Sequence, residues 1–267
     1  MSTENPEHLT IALVGAGNVA THLAPALGKN LVAVAGRTPE KARALGERCG
    51  VTTSGELSEL RRLRPDVIII SVSDKGIADL AATIGNLGYE PLVLHTSGTV
   101  GMEALEPISR RTGVLYPLQT FSAQAELDIS KVPFFTEASR ESDLEITDTI
   151  ARSISPVVNH ADAERRRVLH IAGVFTSNFT NVLLESVETV LEPAGYSLDV
   201  VRPLLEVTVA KAFAMGPHDA QTGPARRGDF AVLDRQLAAL PEHLKDSYTA
   251  LSNLILHNHK ISKPENE

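Results

Sequence analysis

The chain has 267 residues, of which 43% are apolar and 22% charged, which is typical of a globular protein with room for two domains. The net charge of −8 argues against binding to nucleic acid or to an anionic membrane, because both attract concentrated Lys and Arg. A single cysteine excludes an internal disulfide, and the N-terminus lacks the basic and apolar regions of a signal peptide. We therefore expect a cytoplasmic protein that acts on a small-molecule substrate.

The first thirty-eight residues predict a dinucleotide site. A short buried strand at 10–14 leads into a glycine-containing turn, an alanine-rich helix follows, and a second strand spans 31–35. In such a turn the first glycine permits a tight bend, the second lets backbone approach a pyrophosphate, and the free amides of the helix receive the phosphates. A purely structural strand-to-helix turn is the alternative. The predicted cofactor contacts here are Gly15, Ala16, Gly17, Asn18 and Val19.

The residue after the second strand indicates which dinucleotide binds. An NAD site usually has a carboxylate at this place for the ribose hydroxyls, whereas an arginine accommodates a 2′-phosphate. This chain has Arg37 there, followed by Thr38. We therefore predict that the cofactor is NADP(H), that Arg37 clamps its 2′-phosphate and that Thr38 also contacts the cofactor. A solvated arginine is the alternative.

The rest of the first half alternates strands with helices. Further strands are predicted at 66–72, 91–95, 113–117, 132–136 and 156–159, with helices at 39–49, 57–63, 75–87 and 142–153. The strand at 66–72 is almost wholly apolar, as expected where helices cover both faces of a parallel sheet. The pattern predicts an α/β Rossmann domain over residues 1–160, with a doubly wound parallel sheet that binds ligands at the carboxyl ends of its strands.

Polar residues follow the third predicted strand, where this architecture places the cofactor ribose. Ser71, Val72 and Ser73 lie at this position, so we predict that they contact the cofactor. Ser73 or Asp74 equally suits the cap of the following helix, since a serine or aspartate side chain accepts hydrogen bonds from the free amides of a first turn. Both interpretations of this segment stay open.

Two more polar segments follow the fourth and fifth strands. Ser97 is predicted to hydrogen-bond a substrate carbonyl, with His95 behind it as part of the substrate site. A plain turn with a buried, backbone-bonded histidine is the alternative. Tyr116 and Gln119 are placed to close over the substrate, although tyrosines near sheet ends are often core residues.

From about residue 161 the strand patterns vanish and long helical ones replace them. Helices are predicted at 163–191, 198–215, 230–239 and 243–259, so we expect an all-α second domain over 161–267. On the first of these helices, His170, Ser177, Asn178 and Asn181 share one face at helical spacing. Polar groups on an otherwise apolar face bond one another or a ligand, and we favour a ligand at the domain junction.

The loop at 221–229 concentrates two arginines and flexible glycines just before a helix. Because the planar guanidinium suits bidentate recognition of a carboxylate, we predict that Arg226 or Arg227 holds the substrate. In the alternative interpretation Asp229 caps the helix and the arginines are simply exposed. His257 and His259 are two positions apart on a helix and point in different directions, so no metal site is predicted.

Taken together, these segments resemble a bacterial family that joins a Rossmann-like NADP oxidoreductase domain to a helical C-terminal domain of unknown function. More distantly, the chain is similar to ketopantoate reductases, pyrroline-5-carboxylate reductases and F420-dependent NADP reductases. The residues that carry the resemblance span nearly the whole chain: Gly15–Val19, Gly36-Arg37, His95–Gly98, Tyr116–Phe121, His170 with Asn178–Asn181, and Gln221–Asp229.

The resemblance implies an NADP(H)-dependent oxidoreductase that reduces the carbonyl of a small 2-keto acid, with an imine reductase of the pyrroline-5-carboxylate type as the nearest alternative. Related enzymes often carry a proton-donating lysine on the first helix of the second domain; this chain has none there, so His170 is the substitute. Ser97, His170 and Asn178 are then the predicted catalytic group. The missing lysine leaves a non-catalytic NADP(H)-binding sensor as a further alternative. Since related folds pair through their helices, a homodimer is also expected.

Overall fold

A computed structural model describes residues 9–263 of the chain. Contacts between Cα atoms divide it into two compact units, the first ending at Ser177 and the second beginning at Asn178. The boundary predicted from the sequence lies at 160, at the end of the last strand. The observed boundary comes later in the chain than the predicted one because the initial turns of the first long helix pack with the sheet and therefore belong to the first unit.

The first unit contains one sheet of eight strands in the order β3-β2-β1-β4-β5-β6-β7-β8. The strands are β1 (Ile11–Val14), β2 (Leu31–Ala35), β3 (Ser54–Gly55), β4 (Val67–Ile70), β5 (Leu92–His95), β6 (Arg111–Pro117), β7 (Phe134–Ala138) and β8 (Val158–His160). The helices between them are α1 (Asn18–Ala26), α2 (Pro39–Arg48), α3 (Glu59–Leu63), α4 (Asp74–Ile84) and α5 (Glu141–Ile154). This is the predicted Rossmann-like arrangement.

One strand pair departs from the parallel sheet that the sequence predicts. Strands β1 to β6 pair in parallel, β7 pairs antiparallel with β6, and β8 is again parallel to β7. A parallel pair needs a crossover connection, usually an α-helix. The connection from β6 to β7 contains only the short 3₁₀ turn Ile129–Lys131, so the chain returns along the sheet in the opposite direction.

Helices cover both faces of the sheet, which explains why strands β1 and β4 are apolar at every position. On β4, Ile69 belongs to the core cluster on one face, while Ile68 and Ile70 belong to the cluster on the other. All three side chains are fully buried. Continuous apolar runs are characteristic of parallel strands that are covered on both sides.

The long helix predicted over 163–191 is present but is not a regular α-helix throughout. It consists of α6 (Ala163–Gly173), a π-helical turn at Val174–Phe179, and α7 (Thr180–Leu191). The remaining helices are α8 (Arg202–Met215), α9 (Pro217–Ala220), α10 (Pro224–Arg227), α11 (Phe230–Ala239) and α12 (Glu242–Asn258). None of the helices within 9–263 has the length and apolar character that a bilayer crossing requires.

Candidate functional site

The turn between β1 and α1 has a geometry that only glycine fits at its first position. Gly15 has φ of +126°, and a Cβ added there would lie 2.1 Å from the carbonyl oxygen of Ser71. Its amide donates a hydrogen bond to the carbonyl of Ala35, at 2.8 Å, which holds the turn against the end of β2. The backbones of β1, β2 and the segment after β4 therefore converge at this point.

The second glycine of the turn faces open space. A Cβ added to Gly17 would meet no atom within 4 Å, and no side chain caps α1. The first amides of a helix lack partners inside the helix, so those at Asn18 and Val19 can bind an anion. The Asn18 side chain is used differently, because its amide nitrogen donates to the carbonyl of Phe121 at 3.0 Å. Ala16 is half-buried and packs against the core.

Arg37 lies beside the segment that follows β4. A Cβ built on Gly76 would lie 3.4 Å from Nη2 of Arg37 and 3.5 Å from Oγ of Ser73. Arg37 and its neighbour Thr38 are both exposed. The glycine turn, Arg37 and Ser73 are thus brought to the same edge of the sheet, and this arrangement fits a dinucleotide that carries a 2′-phosphate.

Ser71 and Val72 support the glycine turn. Ser71 is buried, its amide donates to the carbonyl of Val14 at 2.8 Å, and its own carbonyl occupies the space beside Gly15. The Val72 side chain also borders that glycine. The side chain of Ser73 makes no capping hydrogen bond at the start of α4, so this hydroxyl does not cap the helix and is free to bind a ligand.

A second group of polar residues follows β5. The Ser97 hydroxyl oxygen accepts hydrogen bonds from the amides of Thr99 (3.1 Å) and Val100 (3.0 Å), which closes a tight turn. His95 is completely buried, and its Nδ1 accepts from the amide of Ser97 at 3.2 Å. Burial, followed by the positive charge of Arg166, lowers the pKa of His95 to about 4. The imidazole is therefore neutral at physiological pH and supports the turn from behind.

Tyr116 packs over the same turn from β6. A Cβ on Gly98 would lie 2.7 Å from Cζ of the Tyr116 ring, so the ring requires glycine beneath it. Burial, and to a smaller extent the Asp74 carboxylate, raise the pKa of the Tyr116 hydroxyl. Tyr116 thus stays protonated near neutral pH and can donate a hydrogen bond. Asp74, at the start of α4, accepts a hydrogen bond from the Thr99 hydroxyl.

Helix α6 faces this group with one side. Arg166 is buried against the sheet and donates to the carbonyl of Val100 at 3.1 Å, and a Cβ on Gly173 would lie 3.5 Å from the Leu118 side chain. His170 lies between Arg166 and Gly173 on that side, since residues three and four positions apart are neighbours on a helix. His170 is exposed.

Gln119 lies in the connection that follows β6. It is exposed, and its side-chain oxygen accepts a hydrogen bond from the amide of Thr120 at 2.7 Å. The side-chain amide nitrogen of Gln119 has no hydrogen-bond partner among residues 9–263, so it can donate to a ligand.

The other predicted site residues lie in the second unit. Arg226 and Arg227 are exposed on α10. Asp229 accepts a hydrogen bond from the amide of Val232 at 3.1 Å and so caps α11, as in the alternative interpretation of this loop. Neither arginine forms a salt bridge with any residue in the described part of the chain, which leaves both guanidinium groups available to a ligand.

Asn178 is exposed within the π-helical turn. A π-helix forms hydrogen bonds between residues five apart, whereas an α-helix forms them between residues four apart. Regular helical spacing consequently fails across Val174–Phe179. Ser177, Asn178 and Asn181 are therefore rotated about the helix axis relative to His170. The four residues do not share the single helix face that regular α-helical spacing predicts.

The sequence pattern does not identify two functional candidates of the first unit, Arg166 and Asp74. Arg166 is the middle residue of the run Arg165-Arg166-Arg167, where three consecutive arginines suggest a solvated helix surface. No sequence signal singles out the buried member, because its partner Glu137 lies 29 residues earlier. The sequence around Asp74 indicates no more than a helix cap, because its link to Thr99 depends on the pairing of β4 with β5.

Two family models match the chain. One, described as NADP oxidoreductase, coenzyme F420-dependent, covers residues 10–96. The other is a domain of unknown function, DUF2520, and covers residues 132–255. A comparison with curated protein sequences gave no match.

Solved structures extend the likeness over both units. A Bacteroides fragilis protein assigned provisionally to the NADP oxidoreductases is 36% identical, with a TM-score of 0.84, and the match covers 96% of this chain and 100% of that one. Pyrroline-5-carboxylate reductase from Streptococcus pyogenes is 11% identical (TM-score 0.64, 95% and 99% covered). An imine reductase from Myxococcus stipitatus in complex with NADP⁺ is 15% identical (TM-score 0.63, 94% of each). The two enzymes share the fold, and the first protein shares sequence as well.

Proposed function

Because the chain belongs to the family of NADP oxidoreductases in which a Rossmann domain precedes the DUF2520 domain, we propose that it reduces the C=N bond of a small imine. NADPH supplies the hydride when it is bound. The amides at the start of α1 would bind the diphosphate, Arg37 the 2′-phosphate, and Ser73 the adjoining ribose. Gly15 and Gly17 provide the close approach of the backbone.

The choice of an imine rests on the protonation states around Ser97. His95 is neutral, with a pKa of about 4, and the pKa of Tyr116 is raised by burial. Neither side chain therefore gives up a proton readily near pH 7. A protonated imine already carries the proton that its product needs, whereas a ketone requires a donor as the alkoxide forms. Two of the structural neighbours, moreover, are named for imine substrates.

Reduction of a 2-keto acid is the second candidate, and His170 is the observation that favours it. Its imidazole is exposed on the side of α6 that faces the Ser97 turn, and an imidazole donates protons near neutral pH. In either reaction a carboxylate on the substrate would need a cation. The side chains of the first unit proposed to surround the substrate are Ser97, His170 and Gln119. Roles for Asn178, Arg226 and Arg227 of the second unit stay predictions from the sequence.

The test is NADPH oxidation by the purified protein, followed by ultraviolet absorbance, across a panel of cyclic imines and 2-keto acids. We expect kcat/KM for the best imine to exceed that for the best keto acid by at least about tenfold, equivalent to ~1.4 kcal/mol in the barrier. The opposite order would establish the second candidate. Tight NADPH binding without turnover of any compound would instead indicate a non-catalytic NADP(H) sensor.

We also propose that the second unit forms a homodimer, because it leaves many large apolar side chains exposed and almost none fully buried. Among its described residues only Ala225 and Leu233 are buried apolar residues, and Phe213 is 89% exposed. Helix α8 packs mainly against its sequence neighbours, the 3₁₀ turn Leu198–Val201 and α9. The exposed set on α7, α8 and α12 includes Val182, Leu183, Val190, Leu204, Val207, Val209, Met215, Leu251 and Leu254.

A second copy of the chain is the occupant that best fits this surface. An apolar groove of about 410 Å³ is lined by side chains of α7 and α12, among them Leu183, Leu244 and Leu251. Helix α8 presents exposed apolar side chains, on a stretch with few charged residues, that suit a groove of this kind. A stable interface buries roughly 800 Å² per partner, and exposed apolar side chains on three helices of this unit are available to supply such a surface. Each copy carries both surfaces, as a two-fold symmetric pair requires.

A further inference from the structure

Arg166 is a charged side chain buried completely within the first unit. Taking an arginine out of water costs several kcal/mol unless its charge is paired. Its Nη1 donates to the Glu137 carboxylate on β7 and to the carbonyl of Ala161 at 3.0 Å, and its Nη2 donates to the carbonyl of Val100 at 3.1 Å. The guanidinium therefore joins α6 both to the sheet and to the turn after β5.

That turn is fixed from two sides at Val100. The amide of Val100 donates to the Ser97 hydroxyl oxygen at 3.0 Å, while its carbonyl accepts from Arg166. The Ser97 oxygen already accepts two amide hydrogen bonds, so its hydroxyl proton is the part that remains free to be donated. The direction in which Ser97 can reach a ligand consequently depends on how Val100 is held.

Arg166 also influences the residue behind Ser97. The hydrogen bond from the Ser97 amide requires an unprotonated Nδ1 on His95. Burial and then the charge of Arg166 lower the pKa of His95, while the backbone at Gly101 and the Asp74 carboxylate on α4 act in the opposite direction. Removing the guanidinium would raise the pKa of His95, so this pKa reports on the presence of the Arg166 charge.

We propose that Arg166 is a positioning residue of the active site, which fixes the Ser97–Val100 turn and orients α6 so that His170 faces it. The proposal rests on the proposed function for the roles of Ser97 and His170. A purely structural ion pair would stabilise the fold equally well, but its replacement would leave the hydrogen bonds of the turn and the pKa of His95 unchanged.

Two variants of the full chain separate these roles. Arg166→Met combined with Glu137→Leu removes the whole pair and replaces it by apolar groups, which avoids leaving one buried charge unpaired. Arg166→Lys keeps the charge but loses the planar fork that reaches Glu137 and Val100 together. Arg165→Met is the matched control, since Arg165 is a neighbouring exposed arginine on the same helix.

Two measurements need neither cofactor nor substrate. NMR titration of histidine Cε1 resonances, with His95 assigned through His95→Gln, should show the His95 pKa raised by about one unit or more in the double variant and unchanged in Arg166→Lys. Amide hydrogen exchange at Thr99 and Val100 should accelerate at least about tenfold in both variants. Arg165→Met should match wild type in each.

Kinetics with the best substrate of the panel complete the test. We expect kcat to fall roughly 10- to 100-fold in both variants while the Kd for NADPH stays within about twofold, because the turn and not the cofactor site is disturbed. Unchanged exchange at Val100 in either folded variant, or an unchanged His95 pKa in the double variant, would overturn the proposal. If the double variant does not fold, exchange and kcat in Arg166→Lys decide. Wild type that fails to bind NADPH would instead refute the proposed function, with the NMR results unaffected.

Discussion

Gly15 and Gly17 lie two residues apart in one turn, yet we expect glycine to be needed at the two positions for different reasons: protein stability at Gly15 and cofactor binding at Gly17. Gly15→Ala places a methyl group 2.1 Å from the Ser71 carbonyl oxygen at a φ of +126°, which strains the backbone as well as clashing. We expect a loss of at least about 2 kcal/mol in the free energy of unfolding, measured by urea denaturation.

Gly17→Ala should separate binding from stability. The added methyl meets no protein atom within 4 Å, so stability should stay within about 1 kcal/mol of wild type. If the diphosphate occupies that space, the Kd for NADPH should rise at least about tenfold, or ~1.4 kcal/mol, by fluorescence titration. Undiminished NADPH binding by Gly17→Ala would show that the dinucleotide lies elsewhere.

Arg37 should distinguish NADPH from NADH. A hydrogen-bonded charge pair with a phosphate is worth about 2 kcal/mol, so Arg37→Ala should weaken NADPH binding roughly 30-fold while NADH binding changes little. Arg62→Ala removes an exposed arginine that pairs with Glu59 on α3 and serves as the control. Isothermal titration of both dinucleotides measures the effect. Equal losses for NADPH and NADH would contradict a role at the 2′-phosphate.

At the scale of elements, the cap of α11 can be tested apart from ligand binding. Asp229→Ala removes the acceptor for the Val232 amide and should cost about 1 kcal/mol of stability. Asp234→Ala, an exposed aspartate on the same helix whose partner is Lys263 at 3.4 Å, should cost less than about 0.5 kcal/mol. Equal thermal stabilities for the two variants would argue against the cap.

Asp148 links α5 to strands β7 and β8 and makes stability depend on pH. Burial raises the pKa of Asp148, but hydrogen bonds from His160 and Thr136, with the charges of His160 and Arg152, outweigh it and hold the pKa below its ordinary value. A carboxyl group whose pKa is lowered by folding stabilises the protein above its unfolded pKa, and this contribution is lost as pH falls through the folded value.

We therefore expect the stability difference between wild type and Asp148→Asn to be largest near about pH 6 and to shrink toward about pH 3. Urea unfolding at several pH values measures it. Asp79→Asn, which alters an exposed aspartate on α4, provides the control. A difference between wild type and Asp148→Asn that is constant with pH would show that the carboxylate is not the source.

The sequence was sufficient to predict the elements whose neighbours in the chain determine them. The apolar run at β4 and the glycine turn before α1 carry local signals, and both are found as predicted. The antiparallel direction of β7 has no such signal, because it depends on how the β6–β7 connection returns across the sheet. The buried state of Arg166 likewise depends on Glu137, a partner distant in sequence.

At the scale of the whole molecule, the proposed homodimer makes a clear prediction. Phe213→Asp places a charge where a large apolar side chain would be buried in both copies, so the dimer dissociation constant should rise at least about 100-fold. Analytical ultracentrifugation at micromolar concentration measures it. Val157→Asp, a change at an exposed apolar residue of the first unit, should leave the dimer intact. Wild type that sediments as a monomer would refute the interface.

The π-helical turn at Val174–Phe179 has a consequence for transferring residue roles between relatives. Such a turn holds about one residue more than the same length of α-helix. In a homologue with an uninterrupted α-helix here, each residue beyond the turn therefore corresponds to a residue one position further along in this chain, when both chains are counted from His170 or its equivalent. An alignment needs a single-residue gap there, and the place of that gap decides whether a role carried over from such a homologue falls on Asn178 or on Phe179.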